Sequence, residues 1–267
     1  MSRTWLITGT SRGFGREWAE AALDRGDRVA ATARNPEHLA TLVERYGEAV
    51  LPLRLDVTDR DEAFAAIDQT AEHFGSLDVV VNNAGYGHFG MVEELTEHEI
   101  RAQMETNFFG ALWVTQAALP VMRAQRSGRI LQITSEGGIR AFPGIGAYHA
   151  SKWALEGLSQ SLSQEVAAFG IHITNVEPGP YGTDWLAQGS RHSTVIPEYR
   201  VIRDGINGGW ETGRPHATRA AILELVDAKN PPLRMFLGKS FEPVAEEYHH
   251  RLDTWRQWQP VALAAFD

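Results

Sequence analysis

The chain has 267 residues, 43% hydrophobic and 22% charged, with a formal net charge of −9 and a pI near 5.6. That acidic balance argues against nucleic-acid binding through a global positive field, though it leaves room for a local basic pocket around a phosphate. The absence of cysteine excludes disulfides, zinc–thiolate sites and thiol nucleophiles. Met1 leads directly into Trp5-Leu6-Ile7-Thr8 without a charged-then-apolar leader, and no apolar run approaches the roughly eighteen residues of a membrane span. A soluble cytoplasmic protein is expected.

Between Thr4 and about residue 180, short β-branched or aliphatic runs alternate with stretches of helical periodicity. The alternation predicts an α/β fold: one doubly wound parallel sheet of about seven strands, helices on both faces, in a single domain. The first strand is Thr4–Thr8 and the first helix runs from about Phe14 to Arg25. Between them lies Thr8-Gly9-Thr10-Ser11-Arg12-Gly13-Phe14-Gly15. Its glycines let the backbone turn tightly and approach a pyrophosphate at a helix N-terminus. The spacing is G-x-x-x-G-x-G, and the strand-then-helix context is what points to a nucleotide. The second strand, Asp27–Ala33, ends where dinucleotide folds choose their ribose. An acid there accepts from a free 2′-hydroxyl and repels a 2′-phosphate. Here the place holds Ala33-Arg34-Asn35, with no acid before Glu37. Arg34 and Arg12 would offer two guanidinium forks to a phosphate, which predicts a preference for the phosphorylated dinucleotide.

Asn35-Pro36 opens a helix with a capping residue and a proline at its first position. A third strand, Val50–Leu55, ends at Asp56-Val57. Asp56 could bond an adenine amino group, or it could cap the helix that Thr58 or Asp59 begins. The fourth strand, Leu77–Val81, is a continuous apolar run suited to the middle of a sheet. It leads to Asn82-Asn83-Ala84-Gly85, where side-chain amides can pin strand ends while Ala84 and Gly85 let a flat ring approach the backbone. Thr96-Glu97-His98-Glu99 forms a capping box at the start of a long helix. That helix carries Asn107 and is expected to bend near Pro120. The fifth strand, Arg129–Thr134, delivers Ser135 to the C-terminal end of the sheet, where ligands bind in open α/β folds.

Tyr148 and Lys152, four residues apart on the next helix, share a face. A phenol ionises near pH 10, and a fixed ammonium nearby is expected to lower that value, making it a usable proton donor and acceptor. Ser135 adds a hydroxyl that could hold a carbonyl oxygen on the line of proton transfer. Leu155, Leu158, Leu162, Val166 and Phe169 form the core-facing stripe of the same helix. Strand Ile171–Val176 follows, then Pro178-Gly179-Pro180-Tyr181-Gly182-Thr183. Residues 184–214 show no clean period and are a candidate substrate lid. A helix from about Pro215 to Asp227 and a last strand, Arg234–Leu237, close the domain. In the extension 239–267, Phe241, Val244, Tyr248, Leu252 and Trp255 recur at helical spacing. The ten histidines include no H-E-x-x-H arrangement, and His249-His250 reads as solvated, so no metal is assigned.

With these motifs in order and at family spacing, the chain resembles the short-chain dehydrogenase/reductase family, over roughly residues 4–185 and the last strand. Thr8-Gly9 with Gly13-Phe14-Gly15 matches the cofactor loop, and Asn82-Asn83-Ala84-Gly85 the family's N-N-A-G. Ser135, Tyr148 and Lys152 match the catalytic positions, and Asn107 the helix asparagine that completes them. Pro178-Gly179 with Thr183 matches the segment that contacts the nicotinamide. The resemblance implies a Rossmann-like NADP(H)-dependent oxidoreductase, with NAD(H) the lesser cofactor. In it Tyr148 exchanges the proton with the substrate oxygen as hydride moves, Lys152 lowers the Tyr148 pKa and binds the ribose, Ser135 orients the oxygen and Asn107 holds a water. Cofactor contacts would come from Gly9, Ser11, Arg12, Gly13, Phe14, Gly15, Arg34, Asp56, Val57, Asn83, Ala84, Gly85, Tyr148, Lys152, Pro178, Gly179 and Thr183.

The sequence is similar to the retinol- and hydroxysteroid-dehydrogenase-like branch through Gly85-Tyr86-Gly87-His88-Phe89-Gly90 and the stretch from Tyr148 to Gly157. That suggests a carbonyl or secondary alcohol on a mostly apolar body, with His88, Phe89, Phe142, Tyr181 and Trp185 as pocket candidates. A sensor that binds cofactor without turnover would need only the binding half, so the complete Ser–Tyr–Lys–Asn set argues against it. Epimerisation or dehydration on this scaffold usually comes with a longer substrate domain than this length allows. Phe108, Ala111, Leu112 and Thr115 on one helix, and Trp153, Ala154 and Gly157 on the other, form a second apolar stripe. A homodimer about a two-fold axis is expected, or a homotetramer completed by the last strand and C-terminal segment. The apolar end Val261–Phe266 would pack on a neighbour, or else fold back on its own subunit.

Overall fold

The computed structural model describes residues 2–183, 185, 189–206 and 211–266. In chain order its strands are β1 (Thr4–Ile7), β2 (Arg28–Ala33), β3 (Val50–Arg54), β4 (Val79–Asn82), β5 (Gly87–Phe89), β6 (Gly128–Ile133), β7 (Ile171–Pro178), β8 (Ser190–His192) and β9 (Arg234–Leu237). The α-helices are α1 (Gly13–Asp24), α2 (Ala40–Tyr46), α3 (Arg60–Phe74), α4 (Glu97–Met104), α5 (Gly110–Gln125), α6 (Gly146–Val166), α7 (Arg200–Ile206), α8 (Arg219–Asp227) and α9 (Phe241–Ala264). Seven strands form one sheet, ordered β3-β2-β1-β4-β6-β7-β9, with every pairing parallel. The chain builds outward from β1 to β3, then crosses back to lay β4 on the other side of β1. That reversal makes a crevice above the carboxyl ends of β1 and β4.

The strand residues explain why both faces are covered. Side chains alternate across a strand, so Trp5, Ile7, Val79 and Val81 enter one core while Leu6 and Val80 enter the other. The first core is closed by α1, α2 and α8, the second by α3, α5 and α6. Asn82 is buried at the end of β4 and spends its amide on Thr115 Oγ1 (2.9 Å) and Gln132 Oε1 (3.0 Å), tying β4 to β6 and α5. The expected elements are present, most with ends shifted by a residue or two; α2 and α8 each start about four residues late, after 3-10 turns at Pro36–Leu39 and Pro215–Thr218. β7 runs to Pro178, beyond the expected Val176, because Glu177 and Pro178 pair with Phe236 and Leu237 of the edge strand β9.

Three expectations need correction, and the stretch without a period gains two elements. The long helix through Asn107 departs from regular α geometry upstream of Pro120: Glu105–Phe109 form a π-helical turn between α4 and α5, while Pro120 sits inside α5. Within 184–214, where no period was legible, the described residues include β8 and α7; residues 184, 186–188 and 207–210 of the candidate lid lie outside the described residues. The C-terminal end does not fold back. It continues α9 through Pro260, and of the apolar residues at helical spacing in α9 only Val244 is buried. Finally, Ala111 and Thr115 are buried within the chain, so they are not part of an outward stripe. No helix among the described residues is long and apolar enough to cross a membrane.

Candidate active site

The glycine loop, Asn82–Gly85, Ser135 and Pro178–Thr183 sit at the carboxyl ends of strands, where parallel strands hand over to the turns leading into helices, while Tyr148 and Lys152 reach the same place from within α6. After β1 the chain turns through Gly9 (φ 71°) and Gly13 (φ 60°), a backbone region that side chains rarely adopt. α1 then begins at Gly13 with no side-chain cap and no acid in its first turn, leaving its amide end open to the crevice. Gly15 is required for closeness rather than for backbone conformation, since a Cβ there would come within 2.4 Å of the Gly9 carbonyl oxygen and 2.5 Å of Asn83 Nδ2. It therefore lets α1 close on the loop and β4, and does not itself line the crevice. Asn83 fastens the same junction, donating to Thr8 O (2.8 Å) and Gly9 O (3.2 Å). Phe14 stacks on Trp18 (5.0 Å) and meets Tyr181 edge-on (5.1 Å), linking this loop to the segment after β7.

A cavity of about 900 Å³ runs from this loop across the sheet ends. At one end it is lined by Gly9, Ser11, Arg12, Gly13, Phe14, Arg34, Asp56 and Val57, then by Asn83, Ala84 and Gly85. Arg12 and Arg34 are both exposed, and neither has an ion pair among the described residues. Of the two readings of Asp56, the cap belongs to Asp59, which accepts from the Asp61 and Glu62 amides at the start of α3. Asp56 itself faces the cavity and turns the chain by accepting from Thr58 N and Oγ1.

Ser135, Tyr148 and Lys152 meet on the floor of the same cavity, beside Pro178, Gly179 and Thr183. Ser135 follows two residues after β6 ends; its hydroxyl accepts from Gly137 N (3.0 Å) and donates to Pro178 O (3.3 Å). Lys152 donates to Ile133 O, the last residue of β6, at 2.7 Å. Its Nζ stands 5.7 Å from the centre of the Tyr148 ring. The expected fall in the Tyr148 pKa is absent here. Tyr148 is 8% exposed, and burial pushes the phenol up to about 12, with the Ser135 hydroxyl pulling the other way. Burial also pulls the Lys152 ammonium down to about 8, against the carboxylate of Glu156 one turn on. Desolvation thus outweighs the attraction expected between the two groups.

Asn107 lies behind this floor and does not line the cavity. Its amide donates to Tyr86 O (3.0 Å) and Ser151 Oγ (3.1 Å), and its oxygen accepts from Tyr86 N (3.1 Å). Ser151 in turn donates to Tyr148 O (2.7 Å), so Asn107 braces the turn of α6 that carries the tyrosine. The π-helical turn aims Asn107 inward; such turns are frequent at functional sites.

Of the expected pocket residues, Phe89, Phe142, Tyr181 and Trp185 line the cavity. Trp185 contacts both Tyr148 (5.1 Å) and Phe89 (5.6 Å) edge-on. His88 does not line it. It is buried on the far side of β5, with Nε2 2.9 Å from Ser193 Oγ and 3.5 Å from Glu99, and burial lowers its pKa. The strand period accounts for this, since His88 and Phe89 point to opposite faces. Sequence reasoning missed the wall supplied by His98, Arg101 and Ala102 of α4, and by Arg191 of β8. The capping box did locate α4, but nothing local showed which way it faced.

The model of the short chain dehydrogenases matches residues 3–193. The chain belongs to the short-chain dehydrogenase/reductase family. It is an oxidoreductase, as are its relatives. It is 43% identical to the oxidoreductase BOA17 of Botryotinia fuckeliana, over 99% of this chain and all of that one. Among solved structures, a short-chain dehydrogenase from Streptomyces avermitilis superposes with a TM-score of 0.92 at 37% identity, covering 99% of this chain and 98% of the other. A gluconate 5-dehydrogenase from Burkholderia cenocepacia, in complex with NADP and tartrate, superposes with a TM-score of 0.75 at 26% identity, covering 89% and 94%.

Proposed function

We propose that this member of the family uses NADP(H) to interconvert a ketone or aldehyde and an alcohol on a mostly apolar substrate, with Tyr148 as proton carrier. The observation that carries the reading is the meeting of Ser135, Tyr148 and Lys152 in one cavity that also reaches the glycine loop and the unpaired guanidinium groups of Arg12 and Arg34. The residues fit the dinucleotide. A Cβ at Gly13 would project towards Thr183, 3.8 Å away across the crevice, and one at Gly85 would come within 3.6 Å of Lys152 Nζ. Glycine at both places keeps open the room a pyrophosphate and a ribose need. The uncapped amides of α1 suit the pyrophosphate, and Arg12 with Arg34 suits a 2′-phosphate. The NADP-bound relative supports the same choice.

When bound, the nicotinamide supplies or accepts the hydride. The chain's own residues do the rest. In reduction, the Ser135 hydroxyl donates to the carbonyl oxygen and holds it, and the Tyr148 phenol gives that oxygen its proton. Lys152, anchored on Ile133 O, holds the ribose and places positive charge near the phenol as its proton leaves. Asn107 keeps the Tyr148 turn in place through Ser151. Phe89, Phe142 and Trp185 shape the cavity for an apolar body and exclude water.

The test is NADPH oxidation with cyclohexanone, acetophenone and 2-nonanone, in the wild type and Tyr148→Phe. Loss of the phenol should lower turnover by at least ~100-fold, the usual worth of general acid catalysis, with NADPH affinity within a few-fold. A variant retaining more than about a tenth of the activity would remove Tyr148 from the proton transfer.

A further inference from the structure

Between β5 and α4 the chain makes a single turn, Val92–Glu94, and Glu94 has no contact with the catalytic floor. Its side chain is nonetheless 0% exposed. One carboxylate oxygen accepts from Met91 N (2.7 Å) within the turn; the other accepts from Ile196 N (2.8 Å) and pairs with the Arg203 guanidinium. Both partners of the second oxygen come from residues 190–206, about a hundred positions later in the chain. This strap carries Ser190 and Arg191, which line the cavity, and it continues through α7 to Ile206, beside the turn at Gly144. That turn precedes Ile145, another lining residue, and Gly144 O accepts from Gly90 N (2.8 Å).

The strap's other attachments are neutral or lie nearer solvent: His88 Nε2 meets Ser193 Oγ (2.9 Å), Ser193 N donates to Phe89 O (2.9 Å), His192 stacks on Phe89 (5.1 Å) and Arg191 lies over Tyr86 (4.6 Å). β5 and β8 pair over three residues only, and a two-stranded ladder that short is marginal by itself. Ser193 Oγ donates to Glu99 (3.1 Å), and Tyr199 donates to Glu93 at the exposed rim (2.7 Å). Among the described attachments, Glu94 alone presents a fully buried charge, and charge-assisted hydrogen bonds are about twice as strong as neutral ones. The Arg203 guanidinium is the main cause of a carboxyl held down to about 2, so Glu94 is ionised throughout the neutral range.

We infer that Glu94 is a positioning residue for the substrate: it latches the 190–206 strap to the turn that follows β5 and thereby fixes the wall that Ser190 and Arg191 add to the cavity. The substrate part rests on the reading under Proposed function; the latch itself does not. The dinucleotide end of the cavity is built from β1, β2, β3 and β4, and the strap takes no part in it.

Hydrogen exchange on the full chain, paired with steady-state kinetics, tests this. In Glu94→Gln, peptides within 190–206 should exchange at least tenfold faster while those of β1 and β4 stay protected. KM for the best of the three ketones should rise about tenfold, with kcat within threefold and NADPH affinity within twofold. Arg203→Ala sits on an exposed helix and should shift both readouts the same way; it decides the matter if Glu94→Gln does not fold. Unchanged exchange in the strap would overturn the latch. Faster exchange with KM unmoved would overturn the role in positioning substrate. If the wild type turned over no ketone, the reaction reading would fall, and the exchange result would still decide for or against the latch.

Discussion

At Tyr148 and Lys152, burial pushes each side chain toward its uncharged form, raising the phenol to about 12 and lowering the ammonium to about 8. A phenol raised in this way stays protonated at neutral pH but is a weaker acid than one in water, so its proton leaves only as positive charge is held close to the developing phenolate. The residues proposed to choose the cofactor, Arg12 and Arg34, sit at the other end of the cavity and are exposed, so the proposal is open to direct exchange. Arg34→Asp should lower the ratio of kcat/KM for NADPH over NADH by at least tenfold, because an acceptor for the 2′-hydroxyl replaces a fork for the phosphate. Steady-state rates with each cofactor measure it, and a wild type that uses both equally would leave Arg34 and Arg12 as surface groups. These positions were legible in the sequence because their meaning is local: a residue just past a strand end, or a pair four apart on a helix. Glu94 and His88 were not legible, because their partners Arg203 and Ser193 lie more than a hundred residues away and only the fold brings them near.

Among the elements, β7, β9 and α6 share a buried charged cluster that no local pattern announces. Glu177 of β7 is 4% exposed and lies near Glu156 of α6, with Arg234 of β9 bonded to Glu156 (3.0 Å) and 3.5 Å from Glu177. Burial first, then the Glu156 carboxylate, raises the Glu177 pKa above its ordinary value. Between the ordinary and the raised value the folded chain holds a proton that the unfolded chain releases, so this group's contribution to stability falls as pH rises through that window. Glu177→Gln should therefore gain on the wild type as pH rises from 5 to 8.5, by about 2–4 °C in Tm for a chain of this size. Melting curves at the two pH values check it; an equal difference at both would place the proton elsewhere. The longer elements were readable because each carries a full period of apolar residues. β5 and β8 have three residues apiece, too few for alternation to register, and the π-helical turn leaves no mark in composition.

At the scale of the whole molecule, the largest exposed apolar feature among the described residues is α9 with the end that follows it. Phe241, Tyr248, Leu252, Trp255, Trp258, Val261, Leu263 and Phe266 are each between 41% and 91% exposed. At roughly 200 Å² per large side chain, these eight present on the order of 900 Å², near the ~800 Å² that each partner buries in a standard interface. By contrast, Trp153, expected to face a partner from α6, is already met by Arg251 of the chain's own α9 at 5.0 Å. A homodimer or higher assembly that uses α9 is the expected state. Sedimentation at micromolar concentration should give at least twice the 29.6 kDa chain mass, and Trp255→Glu combined with Trp258→Glu should return the monomer. A wild type sedimenting at the chain mass would remove the interface, and a double variant that stays dimeric would move it back to α5 and α6.

The π-helical turn at Glu105–Phe109 also bears on how such a site can be gained or lost. A turn of this kind holds one residue more than the α-helix it interrupts, while the helix on either side keeps its direction and its buried face. Removing a single codon there would leave Ala111, Val114, Ala118 and Met122 packed as before, yet rotate the residues of the turn by about 100° and swing the amide of Asn107 off Ser151. The brace behind Tyr148 is therefore encoded in the length of the segment as much as in the identity of its asparagine. A homologue one residue shorter here could keep the whole fold, and even keep an asparagine, and still lack that support.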